Sequence, residues 1–541
     1  MLILLQRLSL CLLLLSIAAC EPSPTAEMNQ VSTVKNVILM IGDGMGPQQV
    51  GLLENYARRA PNSIYAGKPT GLSQFMQDGK VLLSDTGPHN ALVVDSACSA
   101  TQLAIGQASS SEMIGLDHKG NKVETVLQLA KRHGKSTGLV SDTRITHATP
   151  ASFAAHQPHR SYENEIAQDL LSNQVDVLLS GGLRYFLPNN ISAQESVTNK
   201  PVYNKLSQAN LPLKSKRQDT KDLLLEAETI GYSFAFNQTQ LDAITQPPLL
   251  GLFASSGMED AIEYHSRKAS RDGSQQPSLK QMTLKALELL SQNSEGFFLM
   301  VEGGQIDWAG HNNDAGSMLH ELLRFDEAVQ AVYEWVSQRE DTLVVVTADH
   351  ETGSFGFSYS AENIPDAKPL EGDAFKGIEF APNFNFAGLD ILDGLYQQKN
   401  DFYGIWKEAS EAGENGKPTV LSLVNAVNNN MAFKIDEQQA KRILARHKNP
   451  YKKQGHKYLD TETLPHVHDF TPFYVYGDDI HLNLLAREVA SSQNTVWGTG
   501  THTATPVPVI LFGPDSALNQ FEGFLNHSHI GKTLKDIVVN K

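Results

Sequence analysis

The chain has 541 residues, with 44 Lys and Arg against 60 Asp and Glu, a formal net charge of −16, and 41% apolar and 19% charged residues. This is a globular composition, and the acidic balance argues against broad nucleic-acid binding, which needs a basic face. Three cysteines are too few for a disulfide framework or a four-thiolate zinc site, and a chain this long can bury most of its apolar surface without either.

The chain opens MLILLQRLSLCLLLLSIAAC. Arg7 precedes an apolar stretch from Leu8 to Ala19, well short of the about 20 residues that span a bilayer, so the segment reads as a secretory leader. Ile17-Ala18-Ala19-Cys20 resembles the lipobox of bacterial lipoproteins. That implies a signal peptide over 1–19, a lipid on Cys20, attachment to a membrane through that lipid, and a periplasmic or cell-surface location. The alternative is ordinary cleavage nearby with Cys20 unmodified. Residues 20–35 are polar with two prolines and read as a flexible tether. With Cys11 discarded and Cys20 lipidated, only Cys98 is left, as a small buried hydrophobe.

From residue 36 onward, apolar runs alternate with amphipathic stretches. Val37–Ile41 is a strand ending at Gly42-Asp43-Gly44. Val123–Ala130 carries the helical spacing of apolar residues, and Gly134 stops it. Thr137–Val140 is a strand ending in Ser141-Asp142. A helix after Pro277-Ser278 presents Leu279, Met282, Ala286, Leu289 and Leu290 on one face. Phe297–Val301, closed by Glu302, Thr342–Thr347, closed by Ala348-Asp349-His350, and Val507–Phe512 are further strands. Wholly apolar strands alternating with helices predict an α/β fold: a three-layer sandwich whose central, mostly parallel sheet is flanked by helices. The stretch 356–495 breaks this rhythm and reads as a large capping insertion, helical around 419–447. Its basic run, Lys441 to Lys457, reads as solvated surface. The expected organisation is leader 1–19, tether 20–35 and a catalytic domain 36–541 containing the insertion.

Polar residues gather where the strands end. Asp43, Glu302, Asp349 and His350 lie at or just past the ends of apolar runs, and in open α/β sheets ligands bind beyond the carboxyl ends of the strands. Asp307 and His311 are four apart, one face of a helical turn, a spacing that can chelate a metal, as can the adjacent Asp349-His350 pair. Imidazole with carboxylate suits zinc, whereas all-oxygen sets suit magnesium. The small-residue run Val94–Thr101 looks like a helix start with Ser96 in its first turn. There Ser96 is either a nucleophile, favoured by the helix dipole and a nearby cation, or simply an N-cap.

Ile41–Gly46, Asp95-Ser96-Ala97, Phe298–Asp307 with His311, Thr347–His350 and Gly500–Thr503 together, in this order and spacing, resemble the alkaline phosphatases. The similarity covers roughly 36–355 and 497–515. It implies two zinc ions and one magnesium per chain: Asp307, His311 and His502 for the first zinc; Asp43, Asp349, His350 and ionised Ser96 for the second; Asp43, Thr149 and Glu302 for magnesium. It also implies hydrolysis of phosphate monoesters through a phosphoserine on Ser96, with Arg160 gripping two phosphate oxygens, for extracytoplasmic phosphate scavenging. The expected partners are small phosphomonoester substrates, no specific nucleic acid, and a second copy in a homodimer. Two positions depart from the best-known enterobacterial members: His147 stands where those have Asp, and Trp308 where they have Lys. His147 is thereby open to touching the third metal directly or through water. The rival readings are a phosphodiesterase or sulfatase of the same superfamily, or an inactive surface binding lipoprotein. The sulfatases' modification signature is missing at Ser96–Ala100, and the intact nucleophile, arginine and ligand set speak against a dead site.

Overall fold

The computed structural model describes residues 34–191, 200–269 and 275–539. The expected leader, Cys20 and the tether as far as residue 33 lie outside the described residues. Ten strands form one sheet: β1 (Asn36–Gly42), β2 (Lys80–Asp85), β3 (Ser136–Arg144), β4 (Val177–Gly181), β5 (Ser233–Ala235), β6 (Leu249–Leu252), β7 (Phe297–Gly303), β8 (Thr342–Thr347), β9 (Val507–Phe512) and β10 (Phe524–Asn526). Their spatial order is β10-β2-β9-β8-β1-β7-β3-β4-β6-β5. Every pairing is parallel except the two made by β9, which runs against both β8 and β2.

Alternate residues of the central strand feed opposite cores, as the period of two requires. Ile38 and Met40 join one apolar cluster, and Val37, Leu39 and Ile41 the other. The first cluster is completed by Met282 of the helix Leu279–Leu290 and by Leu319 and Leu322 of the long helix Ala315–Val336. The second is completed by Leu103, Leu127 and Leu534 from helices Ser96–Ile105, Val126–Arg132 and His527–Val539. A sheet buried on both faces explains why its inner strands read as unbroken apolar runs. The α/β architecture is the one expected.

Local chemistry sets the boundaries. The 279–290 helix starts where Ser278 and Gln281 form a reciprocal capping box. The helix expected from Val123 begins three residues later, because Thr125 and Gln128 form the same device and leave Val123 and Glu124 before the cap.

Phe355–Phe357 pairs antiparallel with Thr495–Trp497, so the chain leaves and re-enters the main body through a two-stranded neck. Between them lie helices Asp390–Tyr396, Phe402–Glu411, Val420–Asn430, Glu437–Leu444 and Ile480–Gln493, and short strand pairs at 368–369/379–380 and 446–448/463–465. Leu395, Phe402, Ile405 and Val427 merge into the same core as the 315–336 helix. Buried Asp314 caps that helix and also accepts from Gln398 and the Phe402 amide. The basic run is neutralised at the surface by Arg442–Glu488, Arg446–Asp478 and Lys452–Glu462 pairs. Among the described residues, no helix is long and apolar enough to cross a membrane.

Candidate active site

The register of three adjacent strands gathers the acidic groups. Ile41 of β1 lies opposite Glu302 of β7 on one side and Thr347 of β8 on the other. Asp43 and Asp349 therefore leave the sheet two residues beyond Glu302's level, on the same rim. All three are buried. Each has one oxygen held and one left bare. Asp349 Oδ1 accepts the Gly44 and His350 amides at 3.1 and 2.9 Å. Asp43 Oδ2 accepts the Thr149 hydroxyl at 3.4 Å. Glu302 Oε2 accepts from Ser141 and, at 3.2 Å, from Thr143. Asp349 Oδ2, Asp43 Oδ1 and Glu302 Oε1 are buried with no hydrogen-bond partner.

The imidazoles show the same division. His311 Nδ1 donates to the Gly500 carbonyl and His502 Nδ1 to the Val94 carbonyl, both at 2.8 Å. A carbonyl only accepts, so each ring carries its proton on Nδ1 and keeps a lone pair on Nε2. These two Nε2 atoms face each other at 3.1 Å and stand 3.3 and 3.5 Å from the Asp307 carboxylate. Thr352 donates its hydroxyl to Asp307 Oδ1 at 2.5 Å and stands 3.2 Å from His350 Nδ1. That leaves His350 Nε2 open toward Asp43, Asp349 and Ser96, at 3.4, 3.3 and 3.1 Å.

Ser96 is not the cap of its helix. Asp95 is: its carboxylate accepts the Ala97 and Cys98 amides, which frees the Ser96 hydroxyl to face His350 Nε2. Asp95 also pairs with Arg160 at 3.4 Å, and a second Arg160 nitrogen donates to His147 Nε2 at 3.2 Å. His147 Nδ1 is buried and unpartnered. Trp308 packs edge-on to the His147 ring at 6.0 Å. Gly44 sits at φ +74°, and a Cβ there would stand 2.8 Å from Thr352 Oγ1 and 2.9 Å from Asp307 Cα, so only glycine closes this turn.

Among the described residues, three groups of ligand atoms converge within 4.8 Å: Asp307, His311 and His502; Asp43, Asp307 and His350; and Asp43, His147 and Glu302. Bare buried carboxylate oxygens beside imidazole lone pairs are costly unless a cation satisfies them. The residues present therefore fit metal ions.

The sequence profile described as "Alkaline phosphatase" matches residues 34–539. The chain belongs to the alkaline phosphatase family. Alkaline phosphatase 4 of Bacillus subtilis (strain 168) is 34% identical over 384 residues, 70% of this chain and 74% of the relative. Alkaline phosphatase 3 of the same organism is 29% identical over 93% of this chain and 88% of its own length. The crystal structure of a cold-active alkaline phosphatase from a psychrophilic Shewanella sp. superposes with a TM-score of 0.65 at 27% identity, covering 93% of this chain and all of that one. The protein is accordingly a phosphatase, a hydrolase acting on phosphate monoesters.

The electrostatics of this alkaline phosphatase match the geometry. Burial, then neighbouring Asp349, Asp307 and Glu302, holds Asp43 well above the usual carboxylate range. Burial, with Asp307, pushes Asp349 up to about 7, and burial, with Asp142 and Asp349, pushes Glu302 up to about 8. Asp307 is the exception: burial opposes its charge, but His311, His502 and His350 pull it well below the usual range. Burial takes His502 down to about 4 and, together with His502, holds His350 well below its ordinary value. His311 goes the other way: burial opposes its charge, but Asp307 raises it above its ordinary value, so Asp307 and His311 form a charged pair beside the neutral His350 and His502 and the reluctant Asp43, Asp349 and Glu302.

Several working groups carry no sequence signal of their own. Asp95 as cap and arginine partner, Ser141 and Thr143 on Glu302, and Thr352 between Asp307 and His350 are ordinary polar residues until the fold assembles. Thr352 alone leaves a trace, two positions beyond His350 and so on the same side of an extended segment. Tyr476, from the stretch between the two neck strands, packs edge-on to the His311 ring at 4.8 Å.

Proposed function

We propose that the enzyme cleaves phosphate monoesters by two successive displacements at phosphorus, through a phosphoserine on Ser96, using two Zn²⁺ and one Mg²⁺. Asp307, His311 and His502 are assigned to the first zinc, and Asp43, Asp349 and His350, with Ser96, to the second. Asp43, Glu302 and Thr149 are assigned to magnesium; His147 accepts from Arg160 on Nε2 and so carries its proton on Nδ1, which suits it to reach the magnesium through water. The observation that carries this reading is the Ser96 hydroxyl, released from capping by Asp95 and set 3.1 Å from His350 Nε2 at the edge of three convergent ligand groups.

When bound, the ions supply Lewis acidity and lower the pKa of coordinated hydroxyls and water. The protein's own residues do the rest. Ser96 attacks phosphorus from the first turn of its helix, where the dipole favours its developing alkoxide, and the P–O bond to the substrate breaks to release the alcohol; water then attacks the phosphoserine and inorganic phosphate leaves. Arg160, steadied by Asp95, offers its planar fork to two phosphate oxygens. Thr352 and the two carbonyls at Gly500 and Val94 hold the three imidazoles in the ligating tautomer. The second displacement returns Ser96 to its free hydroxyl.

The leader over 1–19, the tether over 20–35 and a lipid on Cys20 complete the proposal, placing the catalytic domain 36–541, with its insertion 356–495, outside the cytoplasm for phosphate scavenging. The homodimer belongs to the same reading and is checked by sedimentation. Ser96→Ala should lower turnover of p-nitrophenyl phosphate by about three orders of magnitude or more while leaving zinc content unchanged; near-normal turnover would refute the assignment. Rates on the bis-ester and on the sulfate should fall far below the monoester rate, and comparable diester turnover would favour the diesterase reading. Cys20→Ser should release the protein from membranes.

A further inference from the structure

The insertion carries a second cluster of histidines that the active site does not use. Strand 446–448 pairs antiparallel with strand 463–465, with His447 opposite Leu464. The chain continues as His466-Val467-His468. Val467 is buried at 2% exposure, so alternation turns both flanking imidazoles the other way, and His466 becomes the diagonal neighbour of His447 across the hairpin.

The three rings form a triangle with centroid separations of 5.2, 5.7 and 5.9 Å and interplanar angles of 55°, 75° and 87°. They are splayed, unlike the stacked His350 and His502 rings, whose centroids are 3.5 Å apart at 20°. Three imidazoles on one ion, with metal–nitrogen bonds of about 2.0–2.1 Å, place their ring centres about 5.2 Å apart at the tetrahedral angle. Two sides of the observed triangle are longer than that figure, and as they lie the imidazole nitrogens do not converge as the active-site groups do, so an ion would turn the rings inward by side-chain rotation.

Nearby histidines of the same arm are committed elsewhere. His456 Nδ1 accepts the Tyr458 and Leu459 amides at 3.2 Å, and His481 Nδ1 donates to the Ile443 carbonyl at 2.7 Å. No hydrogen bond to a described residue engages His447, His466 or His468. Burial and its two histidine neighbours hold His466 below its ordinary pKa, which keeps its lone pair available at neutral pH.

We propose that His447, His466 and His468 form a peripheral site for one borderline divalent transition ion of the zinc class, with water completing its shell. An ion there would staple the 446–465 hairpin to the following segment, which continues to Tyr476 against His311.

The test uses the untagged full chain already loaded with zinc and magnesium, titrated with Zn²⁺ and separately with Ni²⁺ by calorimetry, with bound ions counted by elemental analysis. Wild type should take up one ion per chain more than His466→Ala, and His447→Ala and His468→Ala should each weaken that extra ion at least tenfold. With zinc in excess, wild type should melt at a higher temperature than the variants, while their turnover of p-nitrophenyl phosphate should match wild type. Equal ion counts in wild type and all three variants would overturn the proposal, and so would a loss confined to His466→Ala. Because the comparison is a difference between variants, it reads the same whatever number of ions the active site holds.

Discussion

Thr352 shows how much a single hydroxyl can organise. It gives its proton to Asp307 and faces His350 Nδ1, so one side chain orients a ligand in two of the three groups. Outer partners of this kind typically govern 10–100-fold in metal affinity. Thr352→Val keeps the shape and removes the hydroxyl. Zinc affinity, measured by competition against a chromogenic chelator, should fall by about tenfold or more, with turnover recovering in excess zinc. Unchanged affinity would mean that Asp307 and His350 are oriented by packing alone. The three strand-end carboxylates were legible because an apolar run followed by an acid is itself a pattern. Thr352 was not, because its two contacts depend on where separate loops come to rest, one of them 45 positions away in the chain.

At the level of the element, the Ser96–Ile105 helix owes its start to Asp95. That carboxylate caps Ala97 and Cys98, accepts the Glu112 amide at 2.8 Å and pairs with Arg160. Farther along, Ser99 donates to the Asp349 carbonyl at 2.6 Å and meets His527 Nδ1 at 2.8 Å. The helix is thus tied both to the β8 rim and to the 527–539 helix behind it. Asp95→Ala should destabilise the protein by about 1 kcal/mol through the lost cap, and Asp95→Asn, which still caps, should recover most of it. Urea denaturation of the two variants measures this; equal loss in both would assign the effect to the arginine pair. Here sequence reading reached the helix but not its cap, since Asp95 and Ser96 are both good capping residues. Only the fold shows which one faces inward.

For the molecule as a whole, the strained charges of the site link stability to pH. In the metal-free fold Glu302 and Asp349 sit at about 8 and about 7, while unfolded carboxyls titrate near about 4. A raised folded value means the fold holds protons that the unfolded chain has released. The resulting stabilisation is complete below about pH 4 and is lost as pH rises through 7 to 8. Cations reverse this by replacing the protons. Below about pH 7 the depressed histidines His350 and His502 act in the opposite sense, so the clear signature lies above it: chelator-stripped protein should melt at steadily lower temperature from pH 7 to 8, while protein reloaded with zinc and magnesium should not. Scanning calorimetry would show the gap between the two widening with pH; a narrowing gap would contradict the linkage. The α/β layering was legible from alternation alone. The insertion's merger with the main core was not, because Leu395 or Phe402 carries no mark of which distant helix it will meet.

The two-stranded neck has a consequence in time. Just outside it, strand 351–352 pairs with strand 502–503, so His350 and His502 meet only after everything between them has been made and folded back. His502 lies 191 positions beyond His311, the partner whose Nε2 it faces. A growing chain can thus assemble the Asp43–Glu302–His147 group early, while the Asp307–His311 pair waits for its third member. The Asp307–His311–His502 group therefore closes only when residue 502 has returned through the neck, after the whole 356–495 stretch has been made.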